Sequence, residues 1–195
     1  GIPAGVIAAL KRGKWQDRTV MLIATIGIAV PGFVVATVGM IVFGVKLGWL
    51  PTVGLKSVKH YILPAFSLAF FPSAFIARLM RTSMLEVINQ DYIRTARAKG
   101  LSKFFVVFKH ALKNSILPVV TYIGPLTAGI MTGSFVVEKI FTIPGLGRYF
   151  INSITNRDYS VIMGVTIFYG ALLIIMTLVV DIVYVFIDPR IKLQK

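Results

Sequence analysis

The side chains able to do chemistry are few and widely separated. The only two histidines, His60 and His110, fall in different connecting segments, so no histidine pair can meet to share a metal or an active site. Cysteine is absent, which excludes a disulfide scaffold, a thiolate-ligated metal and a thiol nucleophile. Neither G-x-x-x-x-G-K-[ST] nor G-x-G-x-x-G occurs, so the chain has no cradle for ATP phosphates. Two acids remain. Asp181 lies in the last apolar stretch, where a charge is costly and a proton-relay role is one reading. Its nearness to the end of that stretch favours a pair with an interfacial Lys or Arg. Glu138, beside Lys139, is expected to form a solvated interface pair, the minor alternative being contact with solute near an outer gate. His110 is expected to pack within its loop and His60 to sit at an interface.

The elements that position these residues follow from composition. The chain has 195 residues, 56% hydrophobic, with mean hydropathy +0.83, and carries 21 Lys and Arg against 7 Asp and Glu for a formal net charge of +14. So apolar a chain with so little charge is expected to use the bilayer as solvent. Its basic residues sit between apolar runs instead of forming a patch with stacking aromatics, which argues against nucleic acid as a partner. Four uncharged runs are candidate spans: 19–45, 60–77, 114–137 and 159–180. The first, 27 residues long, is the clearest, and the second is short unless its helix continues through Arg78 to Arg81. Gly1 to Leu10 is too short to cross and reads as the end of a helix. Segments 11–18, 78–113 and 188–195 hold 15 Lys and Arg, against 6 in 46–60 and 138–158. The C-terminus and 78–113 are therefore expected on the cytoplasmic side, with the loops around Trp49 and Pro144 outside. Pro31, Pro64, Pro72, Pro118 and Pro125 each remove a backbone donor within or at the end of a run and invite a kink. With no linker or internal repeat, residues 1–195 read as one all-α, polytopic membrane bundle.

About thirty residues, 82–113, separate the second and third runs, and their pattern is not that of a loose loop. Ser83 and Glu86 have capping-box spacing, and Asn89 or Asp91 can cap a short helix over 91–99. That helix is cationic. Gly100 supplies its stop and Lys99 suits its negative end. Ser102 can cap a third helix in which Leu101, Phe104, Phe105, Phe108 and Leu112 repeat at helical spacing, with Lys103, Lys109 and Lys113 on the polar side. That stripe is expected to lie along the membrane interface while leading into the next span.

Residues 94–113 resemble the "EAA" loop of permease subunits of ABC importers, whose pattern is E-A-A-x3-G-x9-I-x-L-P. Ala96, Gly100 and Leu112 match in register; Arg94 and Thr95 replace the first two residues, His110 the Ile and Lys113 the Pro. Those departures are the form familiar in the dipeptide and oligopeptide branch. Phe141-Thr142-Ile143-Pro144-Gly145-Leu146-Gly147, Asn156-Arg157-Asp158-Tyr159 and Ile187-Asp188-Pro189-Arg190 are similar to that branch, and the Pro-Gly-Leu-Gly and Arg-Asp-Tyr elements resemble its B-type member more than its C-type. The resemblance implies a type I ABC importer permease fold in the cell membrane. Relatives have six spans, so it also implies that the first helix, a large external loop and most of the second are missing. Expected partners are a C-type permease, two cytoplasmic ATPases that carry ATP and magnesium, an external binding protein and lipid, with no cofactor in this chain. The ATPase-coupling residues would be Asp91, Tyr92, Arg94, Thr95, Ala96, Arg97, Ala98, Lys99, Gly100 and Leu101.

Gly124, Ala128 and Thr132 form a small-residue ridge, with Gly129 and Gly133 one position over. Such ridges permit close helix packing, and with Ser134 they are also candidates to line the pathway. Two competing readings stay open. One is an ATP-independent channel or secondary transporter built on Asp181 and the kinked helices. The other is a membrane-anchored assembly subunit.

Overall fold

The computed structural model describes residues 1–131 and 134–187, and every regular element among them is a helix. In chain order these are α1 (Ile2–Leu10), α2 (Trp15–Ala29), α3 (Gly32–Gly39), α4 (Lys59–Ile88), α5 (Asp91–Ala98), α6 (Lys103–Phe105), α7 (Leu112–Ser115), α8 (Leu117–Met131), α9 (Phe135–Ile140), α10 (Leu146–Asn156) and α11 (Tyr159–Ile187). Two π-helical stretches interrupt the α geometry, Met40–Lys46 after α3 and Val106–Ala111 between α6 and α7.

Among the described residues, three stretches are long and apolar enough to cross a membrane: Lys59–Ile88, Leu117–Ile140 and Tyr159–Val183. The uncharged run 19–45, expected to be the clearest span, is not one helix. It breaks at Pro31, which caps α3 in an extended conformation, and only the sharply bent pair Trp15–Ala29 with Gly32–Lys46 qualifies as a fourth span. Proline has no N–H to continue the α2 ladder and biases Val30 away from helical geometry, so the chain restarts there. Pro118 falls in the first turn of α8, where a missing donor costs least, whereas Pro64, Pro72 and Pro125 lie inside helices.

α4 does continue through Arg78 and Arg81, to a length of 30 residues. This overturns the capping box at Ser83 and Glu86. Ser83 is buried in mid-helix, where the backbone N–H groups already bond to the preceding turn and no orphan donor needs a cap.

The chain forms two compact units. The first comprises 1–26, 73–124 and the chain from Thr177. Its core packs Val6 and Ala9 of α1, Met80 and Met84 of α4, and Ile93 and Ala96 of α5 with Val106, Val107, Ala111 and Val119. α1 lies hard against α4, so that a Cβ added at Gly5 would meet the Ala77 carbonyl oxygen at 2.5 Å and Met80 Cβ at 2.7 Å. The second unit comprises 27–72 and 125–176, and its core packs Ala36, Leu63, Val137 and Phe141 against Met40, Leu50, Leu68, Ile140 and Ile143. α11 contributes little to either core: none of its most apolar window is buried. Asp181 is exposed on it and forms no ion pair among the described residues. The expected pairing with an interfacial Lys or Arg is therefore not made among them.

One interaction in the first unit was not foreseen. Asp17, counted above among the residues of a charged connecting segment, is only 4% exposed. Arg81 grips it with two parallel bonds, Nε donating to Oδ1 at 2.6 Å and Nη2 to Oδ2 at 2.8 Å, while the Gly13 N–H donates to Oδ2 at 2.9 Å. Removing one partner strands the other in a desolvated position. Asp17→Asn should destabilise the purified protein in detergent by about 2–3 kcal/mol. That is below the roughly 3–5 kcal/mol of a fully enclosed pair, because 24% of the Arg81 side chain remains accessible. Thermal unfolding of Asp17→Asn, Arg81→Gln and the double variant checks this, and the double variant should lose less than the sum of the singles.

Candidate functional site

The segment after α4 folds as its local sequence dictates. α5 starts after Gln90, which offers no side-chain cap. The expected cap at Asn89 or Asp91 does not form: Asn89 Nδ2 donates back to the Leu85 carbonyl, and Asp91 is already the first helical residue. Its carboxylate still favours the positive end of the helix and lies 3.7 Å from Arg94 in an exposed pair. The helix ends as expected. Lys99 is the C-cap, its N–H bonding to Thr95, and Gly100 takes φ +76° with its N–H on the Arg97 carbonyl. An L residue there meets its own backbone, although no other atom lies within 4 Å of the added Cβ.

Two residues anchor α5, Ile93 at 0% and Ala96 at 7% exposure. Ile93 was not singled out from sequence, although an i, i+3 apolar pair in an otherwise polar helix was the available signal. Asp91, Tyr92, Arg94, Thr95, Arg97, Ala98, Lys99, Gly100 and Leu101 are all exposed. The Tyr92 hydroxyl also accepts a 2.7 Å bond from Asn114 Nδ2, tying α5 to the end of the loop. The helix thus presents three cations, Arg94, Arg97 and Lys99, from a base held by apolar burial. Beside it, a cavity of about 390 Å³ has an apolar floor of Ala9, Leu10, Ile88, Val106 and Val107, with Arg97 and Lys103 also lining it.

Ser102 caps the next helix as expected, its Oγ accepting from the Phe105 N–H at 3.3 Å. The phenylalanine stripe is exposed on the chain: Phe104 is 71% and Phe108 50% exposed, their tilted rings 4.4 Å apart, while Val106, Val107 and Ala111 turn inward. The π-helical stretch sets that inward face, because its wider turn advances the buried positions by five and then four residues, Val106, Ala111, Ser115 and Val119. His110 packs edge-on to Phe105, the loop role expected of it.

The small-residue ridge lies partly within the described residues. Gly124 and Ala128 are buried within the chain, Ser134 is half-buried and caps α9 at 3.5 Å through the Val137 N–H, and Thr132 lies outside the described residues.

Glu138 is not a solvated partner of Lys139. It is buried at 7% exposure, and its Oε2 accepts the Arg148 N–H at 2.9 Å, so a carboxylate from α9 satisfies an orphan donor in the first turn of α10. The Pro144-Gly145-Leu146-Gly147 turn wraps this carboxylate so tightly that a Cβ at Gly145 would clash with the carboxylate carbon, and one at Gly147 would meet the Phe135 backbone at 2.7 Å. The glycines are required by contact, since neither has positive φ.

A helical chain with several membrane-length helices and a short, anchored cationic helix between two of them defines an integral membrane protein. Residues 1–193 match the family model of the binding-protein-dependent transport system inner membrane component, and the chain belongs to that family. It is 53% identical over 195 residues to the dipeptide transport system permease protein DppB of Bacillus subtilis. Identity is 46% over 192 residues with the glutathione transport system permease protein GsiC of Escherichia coli K12, and 45% over 194 residues with the oligopeptide transport system permease protein OppB of Haemophilus influenzae. These alignments cover 98–100% of the chain and 63% of each relative, so the chain spans just under two thirds of the relatives' length.

The glycine cradle gives a direct test. Gly145→Ala should lower the stability of the detergent-purified protein by about 1–3 kcal/mol, the range for overpacking a filled site. Gly170→Ala, where nothing lies within 4 Å, should leave it unchanged or slightly higher. Thermal melts of the two variants side by side decide the point.

Proposed function

We propose that this chain is a permease half of an ATP-driven importer for peptides, and that α5 is the element that couples it to cytoplasmic ATPases. The observation that carries the reading is the construction of α5: two buried residues hold a helix whose remaining surface, including Arg94, Arg97 and Lys99, is free to meet a partner. A docking helix must be stiff enough to transmit displacement, and burial of Ile93 and Ala96 on the α4 core supplies that stiffness. Its contacts must also differ between the nucleotide states of the ATPase, since only a differential interaction can shift the bundle from one access state to the other. In this reading ATP and magnesium are held by the partners, and this chain is not itself catalytic.

The relatives' names supply the cargo: dipeptides, oligopeptides and glutathione are all peptides. A second permease subunit of related C-type fits the bareness of α11, none of whose most apolar window is fully buried among the described residues. An external binding protein would deliver the substrate, and the segment 117–134 that follows the loop would carry part of the pathway through Gly124, Ala128, Thr132 and Ser134. The charge asymmetry of the connecting segments supports a cytoplasmic side for α5 and the C-terminus.

Gly100→Val tests the coupling. The substitution should cost about 1–2 kcal/mol of local backbone energy at φ +76° and mis-aim α5 without touching the membrane helices. Membrane insertion should be normal, co-purification of the ATPases should fall, and peptide-stimulated ATP hydrolysis and uptake should fall together. Lys103→Ala, beyond the short helix, should be much milder. Normal ATPase association and uptake in Gly100→Val would remove α5 from the coupling path.

Orientation is tested separately by labelling single cysteines. One at position 103 should react with an impermeant maleimide only from the cytoplasmic face, and one at position 56 only from outside. Reaction of position 103 in intact cells would reverse the topology.

A further inference from the structure

The second unit contains a cavity of about 310 Å³ whose walls carry Glu138, Lys139, Thr142, Arg148, Asn152 and Phe135. Its size lies at the lower end of the roughly 300–1,000 Å³ typical of small-molecule sites. Charge is arranged unusually here. Glu138 is buried, yet among the described residues it accepts one hydrogen bond, from the Arg148 backbone, and forms no ion pair with the Lys139 ammonium or the Arg148 guanidinium on the same walls. A buried carboxylate normally recruits a cation when one is near. Here two cations line the same space and leave it unpaired, so the cavity holds separated opposite charges.

The wall carrying Glu138 and Lys139 is the end of α9, closed by Thr142 at φ +53°: the Thr142 N–H bonds to the Lys139 carbonyl at 3.4 Å and the Ile143 N–H to the Glu138 carbonyl at 2.8 Å, the usual left-handed helix ending, so that wall is fixed in place.

We propose that this cavity is a subsite for the free termini of a short peptide: Lys139 and Arg148 take the carboxylate, Glu138 answers the ammonium, and Asn152 is placed for the amide between them. The chemistry is that of charge-assisted hydrogen bonds, which a zwitterion can make at both ends and a capped peptide cannot. The proposal rests on the peptide-permease reading and adds that the permease itself reads the termini, in addition to whatever the binding protein selects.

The experiment uses the complete transporter, assembled from full-length subunits and its binding protein in proteoliposomes, with the binding protein saturated by each probe. Probes are alanyl-phenylalanine, its C-terminal amide and its N-acetyl derivative. Discrimination by the binding protein is common to every permease variant, so only changes in the uptake ratios count. Lys139→Gln/Arg148→Gln should lower the preference for free carboxylate over amide by about tenfold, equivalent to 1.4 kcal/mol. Glu138→Gln, which keeps an acceptor for the Arg148 N–H, should instead lower the preference for free amine over N-acetyl. If the double variant does not assemble, the Glu138→Gln ratio decides alone. Ratios equal to wild type overturn the subsite. Absence of ATP-driven uptake of every probe in the wild-type complex would instead overturn the importer reading on which it rests.

Discussion

The burial of Ile93 and Ala96 on α4 is the contact on which the rest of the first unit depends. At 1.5 Å per residue, the 30 residues of α4 extend about 45 Å, well beyond the roughly 30 Å of a hydrocarbon core. The surplus length carries Met80 and Met84 to where α5 folds back on them, and Val106, Val107 and Ala111 close the same cluster from the following helix. A force on α5 therefore meets the packed end of α4. Arg81, one residue from Met80, is clamped by Asp17, so the α1–α2 turn is fastened to the stretch of α4 that carries α5. That geometry gives a cationic, eight-residue helix a stiffness that its own length would not supply.

The second unit solves a different problem by related means. α9 and α10 are short, and the turn between them must satisfy the first amides of α10 without water being guaranteed. Glu138 does so from α9, and glycines at 145 and 147 are the only residues small enough to let its carboxylate and the Phe135 backbone approach. A motif that reads as a bare turn signal is therefore a fitted cradle around a charge. The same packing leaves Lys139 and Arg148 beside the carboxylate but unpaired with it.

Surfaces left uncovered also follow from physics. Phe104 and Phe108 stack outward, and α11 shows its apolar residues almost everywhere, including Ile174 at 70% and Phe186 at 81% exposure. Faces this apolar are stable against lipid or another protein and not against water. Asp181 on α11 stands among them, which fits contact with a partner subunit better than a buried relay within this chain.

Membership in a helical membrane class was fixed by composition, and the frame of segment 82–113 by local rules. A helix over 91–98, its glycine stop at 100 and the Ser102 cap each depend on a few adjacent residues, so spacing alone determined them. The features that failed to show were those set across distance or by a change of helical period. Pro31 splits the longest apolar run because a missing donor outweighs hydropathy. Ser83 caps nothing because α4 runs on. The π-helical turns at Val106–Ala111 rotate the buried face away from the phenylalanine stripe. Asp17 meets Arg81 across 64 positions and Glu138 meets Arg148 across 10. No periodicity encodes such pairs, because folding of the whole chain brings together the desolvated charge and the donor that must answer it.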